Sequence, residues 1–177
     1  HDNYIFKREN LNKKSIDNFK NHINTTKSYL TKDNNTYTLI TKIENYKKIK
    51  KAEQDNGFTI KAVLLTHAHF DHFDPDAVPL IMSNKKTQLL GAFDVKAEAE
   101  RLGLDDSRIT YIKDGDIFKG ENVTIKAMPC DHGAETPDAI GLLITADDKK
   151  IYIAGDTAYR EDFFKNSELA ELDIMIF

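Results

Sequence analysis

Tryptophan is absent from this chain of 177 residues, and cysteine occurs once. A lone Cys130 cannot form an internal disulfide, so cross-links contribute nothing to folding and a reducing cytoplasm is the expected compartment. No stretch approaches the roughly 20 apolar residues that a membrane-spanning helix needs, so no membrane partner is expected. Basic charge is not in excess: 25 Lys and Arg stand against 29 Asp and Glu, a formal net charge of -4. Such a chain lacks the positive field that draws proteins to nucleic acid. Repeats and low-complexity linkers are missing after residue 27, and the length and 40% hydrophobic content suit one domain with a sizeable core. The chain starts at His1 without a methionine and stops in the apolar run Asp173 to Phe177, and it is read as a fragment.

Histidine is concentrated. Of six in the chain, three fall between Thr66 and Asp74, in Thr-His-Ala-His-Phe-Asp-His-Phe-Asp, directly after the apolar run Ala62-Val63-Leu64-Leu65. That run reads as a buried strand over Phe58 to Thr66 delivering side chains to a loop at its C-terminal end, where sites are commonly built. Residues two apart in an extended segment face one side, so His67 and His69 can share one ion, while a turn at Asp71-His72 lets adjacent residues reach a second. Imidazole and carboxylate without thiolate suit divalent ions, zinc foremost, with manganese or iron as alternatives. His132, at the end of the β run Asn122 to Cys130, and Asp156, in Gly155-Asp156-Thr157 after Lys150 to Ala154, are the expected ligands from elsewhere in the chain. One or two ions held this way point to hydrolysis with a metal-activated hydroxide. Asp71 is both a ligand and the candidate proton acceptor, and Thr157 and Tyr159 are candidates to reach substrate. Cys130 is expected to be a small buried hydrophobe, and His22 a surface residue.

Around these motifs strands and helices alternate. Residues 1–27 form a poorly defined N-terminal segment with Ile5, Phe6, Leu11, Ile16, Phe19 and Ile23 at loosely helical spacing. A hairpin is expected over Ser28 to Lys42, turning at Lys-Asp-Asn-Asn. Helices are expected over Ile43 to Asp55, from an Asp74 cap to Ser83, over Asp94 to Leu102 and over Arg160 to Leu172. The lysine run from Lys47 to Lys51 is a solvated helix face. Further strands are expected over Thr87 to Gly91, Arg108 to Lys113 and Asp173 to Phe177, with a hairpin of Ile140 to Ala146 and Lys150 to Ala154 turning at Asp147-Asp148.

Thr66-His67-Ala68-His69-Phe70-Asp71-His72, His132 and Gly155-Asp156-Thr157 resemble, in order, the signature motifs of the metallo-β-lactamase fold hydrolases. His72 to Ala77, Leu102-Gly103-Leu104 with Arg108, and Ile151 to Thr157 are similar to the branch containing L-ascorbate-6-phosphate lactonase. The resemblance implies an α/β (α+β) fold, a four-layered αββα sandwich, over residues 28–177. It also implies a truncated C-terminus and an atypical N-terminus, because the family's final histidine and its early Asp-x-Gly turn are not found. By the same resemblance His67, His69 and His132 hold the first metal, Asp71 and His72 the second, and Asp156 bridges both. The implied activity is metal-dependent hydrolysis of a small-molecule ester, lactone or phosphoester. An inactive truncated metal-binding remnant and a mononuclear-iron oxidoreductase on the same fold are the alternatives, and His69 stands against a di-iron redox site.

Overall fold

The computed structural model describes residues 2–9, 28–33, 36–43 and 59–177, with side chains from residue 60 onward, Phe164 excepted. Its strands form two sheets. The first has six strands: β1 (Asp2–Glu9), β2 (Ser28–Asp33), β3 (Thr36–Ile43), β4 (Thr59–Leu65), β5 (Gln88–Ala92) and β6 (Ile109–Ile112), in the order β2-β3-β1-β4-β5-β6. The second has five: β7 (Ile117–Lys119), β8 (Thr124–Pro129), β9 (Ile140–Ala146), β10 (Lys149–Ile153) and β11 (Ile174–Ile176), in the order β11-β10-β9-β8-β7. Helix α1 (Ala77–Met82) links β4 to β5, α2 (Val95–Arg101) links β5 to β6, and α3 (Glu161–Phe164) precedes β11. No described helix is long and apolar enough to cross a membrane.

β4, β5 and β6 are parallel, with Val63 opposite Leu89 and Leu89 opposite Ile109. Each joining helix is therefore a crossover that covers the sheet, and β4 is buried on both faces at Val63, Leu64 and Leu65. α2 lies so close on β5 that a Cβ at Gly91 would stand 3.2 Å from Val95. The second sheet is antiparallel except for the β10–β11 pair. Its side chains alternate as a pleat requires. Leu142, Ile144, Ile151 and Ile153 enter one core with Leu64, Leu89, Val78 and Val95, while Leu143 and Tyr152 join Met128 and Ala154 in a cluster covered by Leu169 and Leu172. Two facing sheets with helices outside make a mixed α/β fold, as the motifs imply.

Most elements fall where periodicity places them. Asp147 and Asp148 both adopt positive φ, 48° and 60°, the conformation that a two-residue hairpin turn demands. Asp74 caps its turn: its Oδ1 accepts from the amides of Asp76 and Ala77, at 2.8 and 3.0 Å. Two expectations are corrected, and one strand is added. Asp2–Glu9 is a strand within the segment read as loosely helical, because pairing with β3 on one side and β4 on the other rewards the β-prone Tyr4-Ile5-Phe6. The helix expected over Arg160 to Leu172 is only α3 plus a 3-10 turn at Ser167–Leu169, since Asn166 accepts from the Glu168 amide and starts a new turn. β7 was not expected; Gly115, at φ 86°, turns the chain from the first sheet into the second, and the three-residue β7 then pairs with β8. The hairpin expected over Ser28 to Lys42 is present as the β2–β3 pair. The helix expected beyond Ile43 lies outside the described residues.

Leu142 is fully buried between the sheets. Leu142→Ala should cost about 2–5 kcal/mol through lost apolar burial and the cavity left behind, read as a lowered urea midpoint.

Candidate metal centre

The first sheet ends at this site in a tight loop. After β4 the amides of His72 and Phe73 both donate to the His69 carbonyl, at 2.8 and 2.6 Å. Phe73, 1% exposed, anchors the loop in the core, while Phe70 points outward and is 81% exposed. His67, His69 and His72 are thereby turned toward one another: the His67 ring centroid lies 4.8 Å from that of His69 and 4.1 Å from that of His72.

The second sheet contributes from two strand ends. His132 follows β8, and its ring lies 4.6 Å from His67 and 4.9 Å from His69. Asp156 follows β10, with its Oδ1 3.1 Å from His72 Nε2. The two loops are stitched together: the Asp131 amide donates to Thr157 Oγ1 at 2.9 Å, the Ala158 amide to the Asp131 carbonyl at 2.7 Å, and the Cys130 thiol to the Asp156 carbonyl at 3.2 Å. The sheets themselves meet where the Ile140 amide donates to the Thr66 carbonyl, at 2.9 Å.

Two groups of ligating atoms result. One atom each from His67, His69 and His132, and one each from His67, His72 and Asp156, lie within 4.8 Å of one another. Asp71 stands beside the second group, its Oδ2 3.7 Å from His72 Nε2. All six residues singled out in the sequence thus come to one place. A cation fits: His67 is wholly buried, yet its Nε2 has no hydrogen-bond partner. A buried polar atom left unpartnered is costly, and a divalent ion satisfies a neutral imidazole nitrogen there. Burial, reinforced by the rings of His72 and His132, lowers the His67 pKa to about 4 against the pull of Asp156. Its ring is therefore neutral at pH 7, the form that ligates.

Other groups define the surroundings. An open cleft of about 650 Å³ borders His132, Asp156, Thr157 and Phe177. Thr157 Oγ1 also donates to the Ala158 carbonyl at 3.1 Å, so this hydroxyl is engaged in the loop, while Tyr159 is exposed. Burial pushes the Cys130 thiol up to about 11, which makes it a poor nucleophile. Two residues escaped the sequence reading. Asp94, taken only as a helix start, follows β5; its Oδ2 accepts from the Ala68 amide at 3.1 Å, and its Oδ1 is buried without a partner. Burial raises its pKa, although the Ala68 amide draws it down. Its place at a strand end beside the other loops was the available signal. Thr66, taken as the lead-in to the motif, sets its hydroxyl 3.1 Å from His67 Nδ1.

Known proteins share parts of this framework. The model of the β-lactamase superfamily domain matches residues 43–177. A UPF0173 metal-dependent hydrolase of Pyrobaculum aerophilum is 27% identical over 64% of this chain and 50% of its own length. The chain spans about half the length of the curated relatives it matches. Among solved structures, an isothiocyanate hydrolase from Delia radicum gut bacteria superposes with a TM-score of 0.50 at 27% identity, over 66% of this chain and 48% of that one. The metallo-β-lactamase fold protein YhfI of Bacillus subtilis reaches 0.56 at 19% identity, over 85% of this chain and 62% of that one, a likeness of fold.

A Cβ at Gly155, whose φ is 66°, would stand 3.1 Å from Thr66 Cβ and 3.2 Å from the Ile140 carbonyl. Gly155→Ala should therefore cost about 1–3 kcal/mol and speed hydrogen exchange at the Ile140 amide. The metal-free chain should also lose stability in acid. Unfolded, His67 takes up a proton near 6.5; folded, it resists until about 4. Its contribution is complete above 6.5 and fades as pH falls toward 4. Urea titrations across that range should show a shallower decline for His67→Leu than for the parent chain.

Proposed function

This chain belongs to the β-lactamase superfamily domain family, and on that premise we propose that it is a metal-dependent hydrolase. The observation that carries the reading is the convergence of four imidazoles and Asp156 from both sheets around the unpartnered His67 Nε2. The metal-dependent hydrolase of Pyrobaculum aerophilum and the isothiocyanate hydrolase support it.

His67, His69 and His132 would hold one ion, and Asp71 and His72 a second, with Asp156 between them. Zinc suits this nitrogen and oxygen donor set best, with manganese or iron as alternatives. Bound ions of this kind lower the pKa of water toward neutrality and polarise the bond under attack. The protein supplies position and proton transfer. Burial opposes ionisation of Asp71, but its own backbone amide and the His72 ring outweigh it and hold the carboxyl below its usual range. Asp71 is thus an ionised, half-exposed carboxylate at neutral pH beside His72, the form that a cation ligand or a proton acceptor requires. The stitched loops fix His132 and Asp156, so little reorganisation is required as charge develops. The open cleft suits a small ester, lactone or phosphoester.

Purified chain dialysed without chelator should carry about one or two equivalents of a divalent transition metal by elemental analysis, which would stabilise the fold in proportion to its affinity. His67→Ala and His69→Ala should each lose nearly all of it while keeping the far-UV spectrum. Chelation should abolish hydrolysis across an ester, lactone and phosphodiester panel, and zinc or manganese should restore it. Absence of metal from the parent chain would refute the reading.

A further inference from the structure

Thr66 is 2% exposed, and its hydroxyl oxygen lies 3.1 Å from His67 Nδ1 and 3.5 Å from His72 Nδ1. The remaining nitrogens face the ligand groups: His67 Nε2 is the unpartnered buried atom, and His72 Nε2 is 3.1 Å from Asp156. We propose that the single Thr66 hydroxyl positions two histidines at once, one in each half of the metal centre. The inference rests on the metal-binding reading above.

An imidazole that gives its Nε2 lone pair to a cation carries its proton on Nδ1, and that N–H needs an acceptor to hold the ring and its tautomer. A hydroxyl oxygen has two lone pairs and can accept both Nδ1–H groups together. The shorter contact holds His67, which belongs to both ligand groups, and the longer one reaches His72, which belongs to the group with Asp156. Because the His67 and His72 rings lie 4.1 Å apart at 39°, a shift of either reaches the other. Loss of the hydroxyl therefore loosens both groups in one step.

The other duties of Thr66 do not need the hydroxyl. Its carbonyl accepts from Ile140, and its Cβ packs against Gly155. Thr66→Val keeps both and changes only the oxygen, whereas Thr66→Ser keeps the oxygen.

The test measures zinc affinity of the full chain by competition with a chromophoric chelator, together with the thermal midpoint of the metal-free form and the histidine tautomers by nitrogen NMR. Removal of such a supporting hydrogen bond typically costs about 10- to 100-fold in affinity. Thr66→Val should show that loss for every zinc ion the parent binds. It should keep the metal-free midpoint within a few degrees and, in the metal-free form, lower the population of the Nδ1–H tautomer at His67. Thr66→Ser should restore affinity to within a few-fold. Parental affinity in Thr66→Val, or loss of one ion while a second binds unchanged, overturns this proposal and leaves the metal-binding reading standing. A parent chain that takes up no zinc overturns both. A collapse of the metal-free midpoint equal to the loss of affinity assigns Thr66 a purely structural role and likewise overturns the proposal.

Discussion

The hydrogen bond from the Ile140 amide to the Thr66 carbonyl is the point on which the site depends. It joins the C-terminal end of β4 to the N-terminal end of β9, and so brings two separately wound sheets into register at one edge. Gly155 makes the approach feasible, because any Cβ there would press on Thr66 and on the Ile140 carbonyl. His67, His69 and His72 belong to one sheet's loop, and His132 and Asp156 to the other's. Their ring-to-ring and ring-to-carboxylate distances have meaning only while that junction holds.

At the junction the protein accepts an electrostatic burden. Four imidazoles crowd together, one of them wholly buried, and like-charged protonated rings cannot share such a space. The fold responds by keeping His67 neutral and by placing the Asp156 carboxylate against His72. The two buried side-chain atoms left unpartnered among the described residues, His67 Nε2 and Asp94 Oδ1, both flank this site. Other buried polar side chains among the described residues are matched: Thr87 donates to the Ile60 carbonyl at 2.8 Å, and Thr136 to the His132 carbonyl at 3.1 Å. Local dissatisfaction inside a satisfied framework is what a ligand-binding site requires.

The candidate ligands were legible because their chemistry is dense and follows a buried strand: the imidazoles and carboxylate of His-x-His-x-Asp-His, set at the end of an apolar run, are hard to satisfy without a cation. His132 and Asp156 were legible from strand ends, and Asp147-Asp148 from turn chemistry. Thr66 and Asp94 were missed, because each acts through a neighbour's ring or amide, and the strand-end position that Asp94 does show encodes no contact between the end of β5 and the loop after β4. The strand Asp2–Glu9 was hidden for a related reason. Its partners are β3 and β4, and pairing at such sequence separation is set by the whole sheet and not by local pattern. The shortened α3 shows the opposite failure: one helix was expected over Arg160 to Leu172, and the Asn166 side chain, accepting from the Glu168 amide, starts a separate turn within it.

The parallel order β4-β5-β6 has a kinetic meaning. Each parallel pairing spans a helical crossover, and the partner loops follow β8 and β10 of the other sheet, so the site is built from contacts far apart in sequence. Such non-local contacts are slow to assemble, because chain entropy is lost before the contacts repay it. A divalent ion that engages residues from both loops would act as a latch that holds the two sheets together at that edge.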